Sequence, residues 1–450
     1  MKNHSITSEE QHNRMLTAPM KGLILKISLP LVACQLIAVI YNTADTYFMS
    51  QISTSASAAI GVTYSLLAII QAIGYGIGIG CCSNVSRLLG EKNNKRATEF
   101  ASTTLVISLG TGVFLCAVGL LGLDPLMRLL GATDTMFAYA KDYSIWLLAG
   151  APFQCASYLV MHLLRSEGEA TLSMIGLLLG GVLNVVLDPL LIFSAGLGAA
   201  GAAIATSVSQ LVSFVFLLYL FQSKRSILHF SGKAIVADWS LITSIATIGF
   251  PTTCRLGLAS FAFAMLNNAA GIYGDAAVAA VTITNRIYIL IRYVAVGFGQ
   301  CLQTVAGYNY GAGNMARTKD SFKWACSMST AFCIIAAALL AVFPSEVIGW
   351  FRNDPAVIEI GRTALLFSAA TVPFMAYSTH TSQFAQGLGI RLPATILACC
   401  RQGICFVPLV LILPSLFGLT GVLLTQPISD MITFLICIPF QKRIFSKNLT

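Results

Sequence analysis

The chain has 450 residues, of which 56% are apolar and 10% are charged, and its mean hydropathy is +0.79. A soluble domain carries roughly a quarter charged residues, so this composition excludes a water-soluble globular protein and indicates lipid as the main solvent. The net charge of +9 is interpreted as membrane topology and contact with anionic lipid, and not as nucleic-acid binding.

Twelve long apolar runs follow one another along the chain, and each reaches the length of about 20 residues that a membrane-spanning helix needs. Short connections with Gly, Pro, Asn or charged residues separate them. A transmembrane β-barrel would show alternating segments of about ten residues, so an all-α fold is predicted instead. The predicted spans cover about 22–48, 55–83, 97–122, 138–162, 168–194, 197–222, 240–270, 276–305, 320–343, 358–386, 392–414 and 417–440.

Most of the 27 Lys and Arg residues lie in the two tails and on the alternate connections that share a side with the tails. The positive-inside rule therefore predicts that both termini are cytoplasmic, in a multi-pass protein of the cell (inner) membrane. The polar N-terminal tail and the long first apolar run are not typical of a cleavable signal peptide.

The sequence partly matches itself when it is shifted by 221 residues, which predicts that one six-helix unit is used twice. Because six is even, both copies run in the same sense, and a pseudo-two-fold axis along the membrane normal is predicted to relate the two six-helix lobes. The matched pairs are Gly76 with Gly297, Gly90 with Gly311, Asn93 with Asn314, Arg96 with Arg317 and, with a shift of 220, Gly201 with Gly421 and Ser209 with Ser429.

The repeat divides the chain into five predicted segments. They are a cytoplasmic N-terminal tail (1–21), an N-lobe with helices 1–6 (22–222), a cytoplasmic linker (223–239), a C-lobe with helices 7–12 (240–440) and a cytoplasmic tail (441–450). Two similar bundles around a central cleft predict alternating access, in which one bundle rocks against the other.

Acidic side chains inside the predicted spans are the first candidates for a functional site, because each costs roughly 2.5–3.5 kcal/mol at mid-bilayer on insertion scales. Asp45 lies in the first span and Asp188 in the fifth, and Asn184 precedes Asp188 by one helical turn. Thr206 is predicted at a similar depth in the sixth span. Oxygen groups without Cys or His favour a proton or Na⁺. The alternative is that hydrogen bonds satisfy each acid, which then only fixes packing.

The second half carries four arginines within predicted spans, Arg255, Arg286, Arg292 and Arg401, and one acid, Asp430. Three interpretations stay open. The arginines pair with Asp430 or with backbone carbonyls, they extend to a membrane interface, or they line the cleft and bind an anionic or zwitterionic substrate.

The candidates for the substrate cleft are Arg286 and Arg292, together with Met265 and Tyr288, which would add an adaptable apolar surface. No catalytic constellation is visible in the sequence, so the chain is not predicted to be an enzyme. The absence of His or Cys pairs with ligand spacing predicts no metal site beyond a Na⁺ at the acids, and no cofactor is predicted besides the coupling ion.

Several motifs, in a fixed order over about residues 20–440, resemble the multidrug and toxic compound extrusion (MATE) family, and in particular its prokaryotic DinF-like branch. They are YNTAD, RLLGEKN, LRSEG, NVVLDPLLIF, GAAGAAIAT and, in the second half, QTVAGYNYGAGN. The resemblance implies twelve helices in two lobes and export driven by a proton or Na⁺ gradient.

The same resemblance implies roles for individual residues. In members with acids in the N-lobe, the cation site consists of an Asp in span one, an N-x-x-x-D pair in span five and a Thr in span six. These match Asp45, Asn184 with Asp188, and Thr206. The family's Tyr before the span-one acid matches Tyr41, and the Pro at which that helix bends matches Pro30.

Together these features predict a secondary active exporter that moves drugs or metabolites by rocker-switch antiport with H⁺ or Na⁺. The first alternative is a flippase-like exporter of an anionic or lipid-linked substrate, which the arginines favour and the acid pair disfavours. The second is a membrane enzyme or channel. The expected partners are a small-molecule substrate and membrane lipid, without nucleic acid, and the chain is expected to be a monomer.

Overall fold

The computed structural model describes residues 8–223 and 226–449 and, within these ranges, all side chains except those at positions 8, 41, 42, 44–46, 50 and 54–57. These residues form fifteen α-helices, two π-helical turns and one 3₁₀ turn, with no β-strand among them. The all-α fold predicted from the apolar runs is therefore confirmed.

The helices of the first half of the chain are α1 (Ser8–Thr17), α2 (Met20–Ser50), α3 (Thr54–Gly90), α4 (Asn94–Leu121), α5 (Leu123–Leu129), α6 (Phe137–Ser166), α7 (Ala170–Pro189) and α8 (Gly198–Phe221). Those of the second half are α9 (Trp239–Gly271), α10 (Asp275–Gly311), α11 (Met315–Val342), α12 (Pro344–Phe351), α13 (Pro355–Gly387), α14 (Arg391–Cys399) and α15 (Phe406–Asn448). The π-helical turns Leu190–Ser194 and Cys400–Ile404 follow α7 and α14.

Ten helical stretches among the described residues are long and apolar enough to cross a membrane. The last of them, Arg391–Asn448, is 58 residues long and is interrupted inside α15 at Gly418, whose φ of 59° and ψ of −137° are not helical. It therefore accounts for the last two predicted spans. The 33 residues of α9, at 1.5 Å per residue, are also long enough to cross, and supply the twelfth span.

The chain forms two compact units, which differ from the predicted lobes in one respect. Unit 1 contains Met1–Ala18 and Ala33–Thr253, and unit 2 contains Pro19–Val32 and Cys254–Thr450. The beginning of α2 thus belongs to unit 2, and the beginning of α9 belongs to unit 1. A proline lies inside each helix close to this change of unit, Pro30 in α2 and Pro251 in α9.

Glycines allow these exchanged segments to pack against their units at backbone distance. In unit 1, a Cβ atom added to Gly249 of α9 would lie 2.1 Å from the carbonyl oxygen of Gly76 in α3. In unit 2, a Cβ added to Gly297 of α10 would lie 2.9 Å from the backbone nitrogen of Val32. Both distances exclude a side chain, so each close helix approach requires glycine. Gly76 and Gly297 are a matched pair of the repeat.

The repeat is also visible at two helix N-termini, which are capped in the same way. The side chain of Asn93 accepts a hydrogen bond from the backbone N–H of Arg96 at the start of α4, at 3.1 Å. Asn314 accepts the equivalent bond from Arg317 at the start of α11, at 3.2 Å. A side-chain cap satisfies one of the unpaired N–H groups of a helix N-terminus, so the same device begins the third span of each unit.

Candidate ion-coupling and arginine sites

The first polar cluster lies between α7 and α8, inside unit 1. The amide nitrogen of Asn184 donates to Oδ1 of Asp188 at 3.3 Å and to the hydroxyl oxygen of Thr206 at 3.2 Å. Asp188 is completely buried and Asn184 is 4% exposed. The structure therefore brings together three of the residues that the sequence predicted as one site, while their role in ion coupling stays a prediction.

Small residues make room for this cluster. A Cβ added to Gly180 of α7 would lie 3.0 Å from Cβ of Ser213 in α8, so the two helices approach closely here. Beside this contact is a cavity of about 10 Å³, which is close to the smallest volume that holds one water molecule. Its polar lining consists of Asn184, Thr206, Ser209, Gln210 and Ser213.

The end of α7 is irregular directly after the buried acid. Pro189 has no N–H group, so it cannot donate to the carbonyl of the preceding helical turn. The chain then forms the π-helical turn Leu190–Ser194, and the N–H of Ala195 donates to the carbonyl of Leu190 at 2.9 Å. Irregular helical backbone of this kind is frequent at functional sites.

The predicted residues of the first span are only partly described. Tyr41 and Asp45 lie on α2, at positions whose side chains are outside the described residues, so their proposed participation stays a prediction. Pro30 lies inside the same helix and is half-buried, two residues before the change from unit 2 to unit 1.

The second polar cluster lies inside unit 2 and is centred on Asp430, which is completely buried. Its Oδ1 accepts from Nε of Arg401 at 2.8 Å and from the amide of Gln426 at 3.0 Å. Its Oδ2 accepts from the hydroxyl of Tyr288 at 2.5 Å, and the hydroxyl of Ser429 donates to the Arg401 carbonyl at 2.5 Å. The first interpretation of the arginines, pairing with Asp430, therefore describes Arg401.

The other candidates for the substrate cleft have different surroundings. Arg292 is half-buried and lies over the ring of Tyr293, with 5.8 Å between the guanidinium carbon and the ring centroid. Met265 packs against the buried apolar residues Ala262 and Phe406, whereas Arg286 is exposed. Tyr288 is buried and donates to Asp430 in the second polar cluster. The four candidates for the substrate cleft thus have different environments.

Sequence reasoning missed a third buried acid, Glu167, in the turn between α6 and α7. The hydroxyl of Ser226 donates to both of its carboxyl oxygens, at 2.8 and 2.9 Å, and the N–H of Leu228 donates at 2.9 Å. Gln11 of α1 donates to the Glu167 carbonyl at 3.0 Å. Burial raises the pKa of Glu167 to about 8. Glu167 thus connects α1, this turn and the segment after α8.

Comparison with known proteins gives a consistent result. The model of the MatE family matches residues 30–190 and again 251–412, so the two matches begin at Pro30 and Pro251. The chain is 28% identical to the multidrug export protein MepA of Staphylococcus aureus (strain MRSA252) over 425 residues, which covers 94% of this chain and 93% of MepA. It is 26% identical to MepA of Staphylococcus haemolyticus over 410 residues, covering 91% and 90% of the two chains.

Solved structures of similar fold extend over nearly the whole chain. One is the outward-facing conformation of a multidrug resistance MATE family transporter of the MOP superfamily, with a TM-score of 0.90, 26% identity and 99% coverage of both chains. Another is a MOP superfamily transporter from Pyrococcus furiosus described as having a binding pocket of reverse polarity. It has a TM-score of 0.90 and 25% identity and covers 97% of this chain and 98% of its own.

Proposed function

The chain belongs to the MatE family of multi-pass membrane transporters, and we propose that it exports small organic compounds in exchange for H⁺ or Na⁺. The named relatives are multidrug exporters, which supports efflux as the direction of transport. The observation that carries the coupling proposal is the completely buried Asp188, with Asn184 and Thr206 beside a cavity of about 10 Å³.

A buried carboxylate has a large free-energy difference between its charged form and its proton- or cation-neutralised form, because the membrane interior solvates charge poorly. Asp188 is the charged group of the site. Its amide neighbour Asn184 donates N–H groups to the carboxylate and to Thr206, an arrangement that suits the ion-free state. Binding of Na⁺ would require the amide to rotate and present its oxygen, whereas a proton would bind the carboxylate directly.

In the proposed cycle, an outside cation neutralises Asp188, with Asp45 and Tyr41 as further members of the site. Neutralisation changes the hydrogen bonding in unit 1, the first span bends near Pro30, and the affinity for substrate falls. The ion drives transport only because it binds the outward- and inward-facing states unequally. We propose rocker-switch movement, cytoplasmic termini, a monomer as the working form and no cofactor besides the coupling ion.

The test is transport by purified protein in phosphatidylcholine vesicles, with pH and Na⁺ gradients imposed separately. The probes are 1-naphthylmethylammonium and 1-naphthoate, which match in size and differ in charge. We expect Asp188→Asn to abolish gradient-driven transport, because the amide can neither release a proton nor neutralise Na⁺. Asp124→Asn is the control, since this acid of unit 1 is exposed and pairs with Lys141. Transport by Asp188→Asn at the rate of the control would exclude the coupling role.

A flippase-like exporter of an anionic or lipid-linked substrate is the second candidate function. The half-buried arginines Arg255 and Arg292 of unit 2 favour this candidate, because an anionic headgroup would compensate their charge. It predicts translocation of phosphatidylglycerol when this anionic lipid is added to the same vesicles.

A further inference from the structure

Unit 2 contains more buried positive charge than its described acids compensate. Arg401 is 6% exposed, and its guanidinium donates to Asp430 and to the hydroxyl oxygen of Tyr288. Arg255 of α9 and Arg292 of α10 have no such acid. Asp430 also attracts Arg292, but its carboxyl oxygens already accept from Arg401, Gln426 and Tyr288.

The guanidinium groups of Arg255 and Arg292 contain nitrogens that are inaccessible to solvent and without a hydrogen-bond partner. They are Nη1 of Arg255 and Nε of Arg292. The charges of Arg292 and Arg401 also act on Arg255, so the three guanidinium groups share one region of unit 2. An unsatisfied buried donor is destabilising, and more so when it is charged, so this arrangement is unfavourable unless an anion completes it.

The shape of the guanidinium group indicates which anion would fit. Its planar set of N–H donors matches a carboxylate, phosphate or sulfonate, which can accept two parallel hydrogen bonds. Two guanidinium groups from successive helices of unit 2 would bind one such headgroup together. We propose that Arg255 and Arg292 form an anion-binding site in unit 2, and that the exported substrates include organic anions held there by their headgroup. This inference rests on the proposed export function.

The test measures equilibrium binding to the full-length protein in phosphatidylcholine nanodiscs, by the fluorescence of 1-naphthoate and 1-naphthylmethylammonium. We expect the wild-type protein to bind the anion and not the matched cation. We expect Arg255→Gln/Arg292→Gln to weaken 1-naphthoate binding by about tenfold or more, the loss expected for one charge-assisted hydrogen bond. Arg362→Gln should bind like the wild type, since it removes an exposed arginine of unit 2, on α13.

Two results would overturn the anion site. One is a wild-type protein that binds the cation and not 1-naphthoate, and this comparison needs no variant. The other is equal 1-naphthoate affinity in the double variant and in Arg362→Gln. If the double Gln variant does not fold, Arg255→Lys/Arg292→Lys replaces it. This variant keeps both positive charges but lacks the planar guanidinium group, so its affinity for 1-naphthoate should be lower than that of the wild type.

A second set of nanodiscs, with phosphatidylglycerol added, identifies the source of the headgroup. Unchanged 1-naphthoate binding supports a soluble anion, whereas competition that the double Gln variant abolishes supports a lipid headgroup at the same site. Anion binding and gradient-driven transport, measured on the wild type and on Asp188→Asn, distinguish the anion site from the proposed export function. Anion binding with no gradient-driven transport in the wild type would contradict the export mechanism alone. Transport that depends on Asp188 but not on Arg255 and Arg292 would contradict the anion site alone.

Discussion

The two halves of the repeat differ in charge at equivalent positions, which are neutral in unit 1 and include an ion pair in unit 2. In unit 1 the cavity between α7 and α8 is lined by Gly180, Asn184, Thr206 and Gln210. The repeat shift of 221 carries Gly180 to Arg401, and the shift of 220 carries Thr206 to Gln426 and Gln210 to Asp430. The Arg401–Asp430 ion pair therefore stands where unit 1 has a small polar cavity.

This difference bears on the roles that we propose for the two units. In unit 1, Gly180 and the neutral side chains of Asn184, Thr206 and Gln210 line the small cavity. In unit 2, the guanidinium of Arg401 supplies a permanent cation for Asp430, at 2.8 Å. A site that already contains its cation has no need of H⁺ or Na⁺. The comparison thus favours ion coupling in unit 1 and leaves unit 2 for other ligands.

The largest expected effect is on the stability of unit 2. Asp430→Asn leaves the guanidinium of Arg401 buried without a charge partner, and breaking a buried ion pair from one side costs about 3–5 kcal/mol. We expect a marked loss of apparent thermal stability, measured on purified protein by tryptophan fluorescence. The corresponding change in unit 1, Asp188→Asn, affects an acid that accepts from the neutral amide of Asn184, and we expect it to cost less stability.

The double variant Arg401→Gln/Asp430→Asn provides the control for this prediction. It removes both charges, so it should recover most of the stability that Asp430→Asn loses. Equal losses in the single and double variants would show that Asp430 stabilises unit 2 through Tyr288 and Gln426, and the view of Arg401 as a built-in cation would be wrong.

A smaller effect is expected from the neutral members of the unit 1 site. Thr206→Val removes the hydroxyl that accepts from Asn184, at 3.2 Å, with little change in volume. If this oxygen also binds the coupling ion, the ion concentration for half-maximal transport should rise about tenfold, which corresponds to about 1.4 kcal/mol.

Ser207→Ala is the matched control, because the hydroxyl of this neighbouring residue donates instead to the carbonyl of Trp146, at 2.7 Å. The measurement is transport in vesicles at varied H⁺ and Na⁺. The same half-maximal concentration in both variants would remove Thr206 from the ion site and leave Asp188 as a simple proton carrier.

The sequence was sufficient for the features that depend on local spacing. Apolar length predicts the spans, and the four-residue spacing of Asn184 and Asp188 predicts that they share a helix face. The exchange of the beginnings of α2 and α9 between units was not predictable in this way, because it depends on backbone contact between distant glycines such as Gly76 and Gly249. Pairing of Arg401 with Asp430 likewise depends on the π-helical turn Cys400–Ile404, which periodicity does not reveal.

The burial of Glu167 was also not predictable from local spacing. The equivalent position in unit 2 extends the comparison between the units. The repeat shift carries Glu167 to Leu388, and both side chains are buried, with 0% and 3% exposure. The following glycines, Gly168 and Gly389, both have positive φ, of 86° and 77°. The two turns therefore have the same backbone, but unit 1 buries a carboxyl group where unit 2 buries a leucine.

The last expected effect is a pH dependence that this carboxyl group gives to unit 1. Its pKa is raised from 4.5 to about 8 by burial, so between these values the folded protein retains a proton that the unfolded chain releases. Stability should therefore decrease as pH rises from about 4.5 to about 8, and then level off.

We expect the apparent Tm of the wild type to fall over this range by roughly 2–4 °C for each kcal/mol lost. Glu167→Gln should reduce the fall, whereas Asp124→Asn, which changes an exposed acid of unit 1 paired with Lys141, should not. Identical pH profiles in the wild type and Glu167→Gln would show that Glu167 is ionised in the folded protein, held by Ser226 and Leu228.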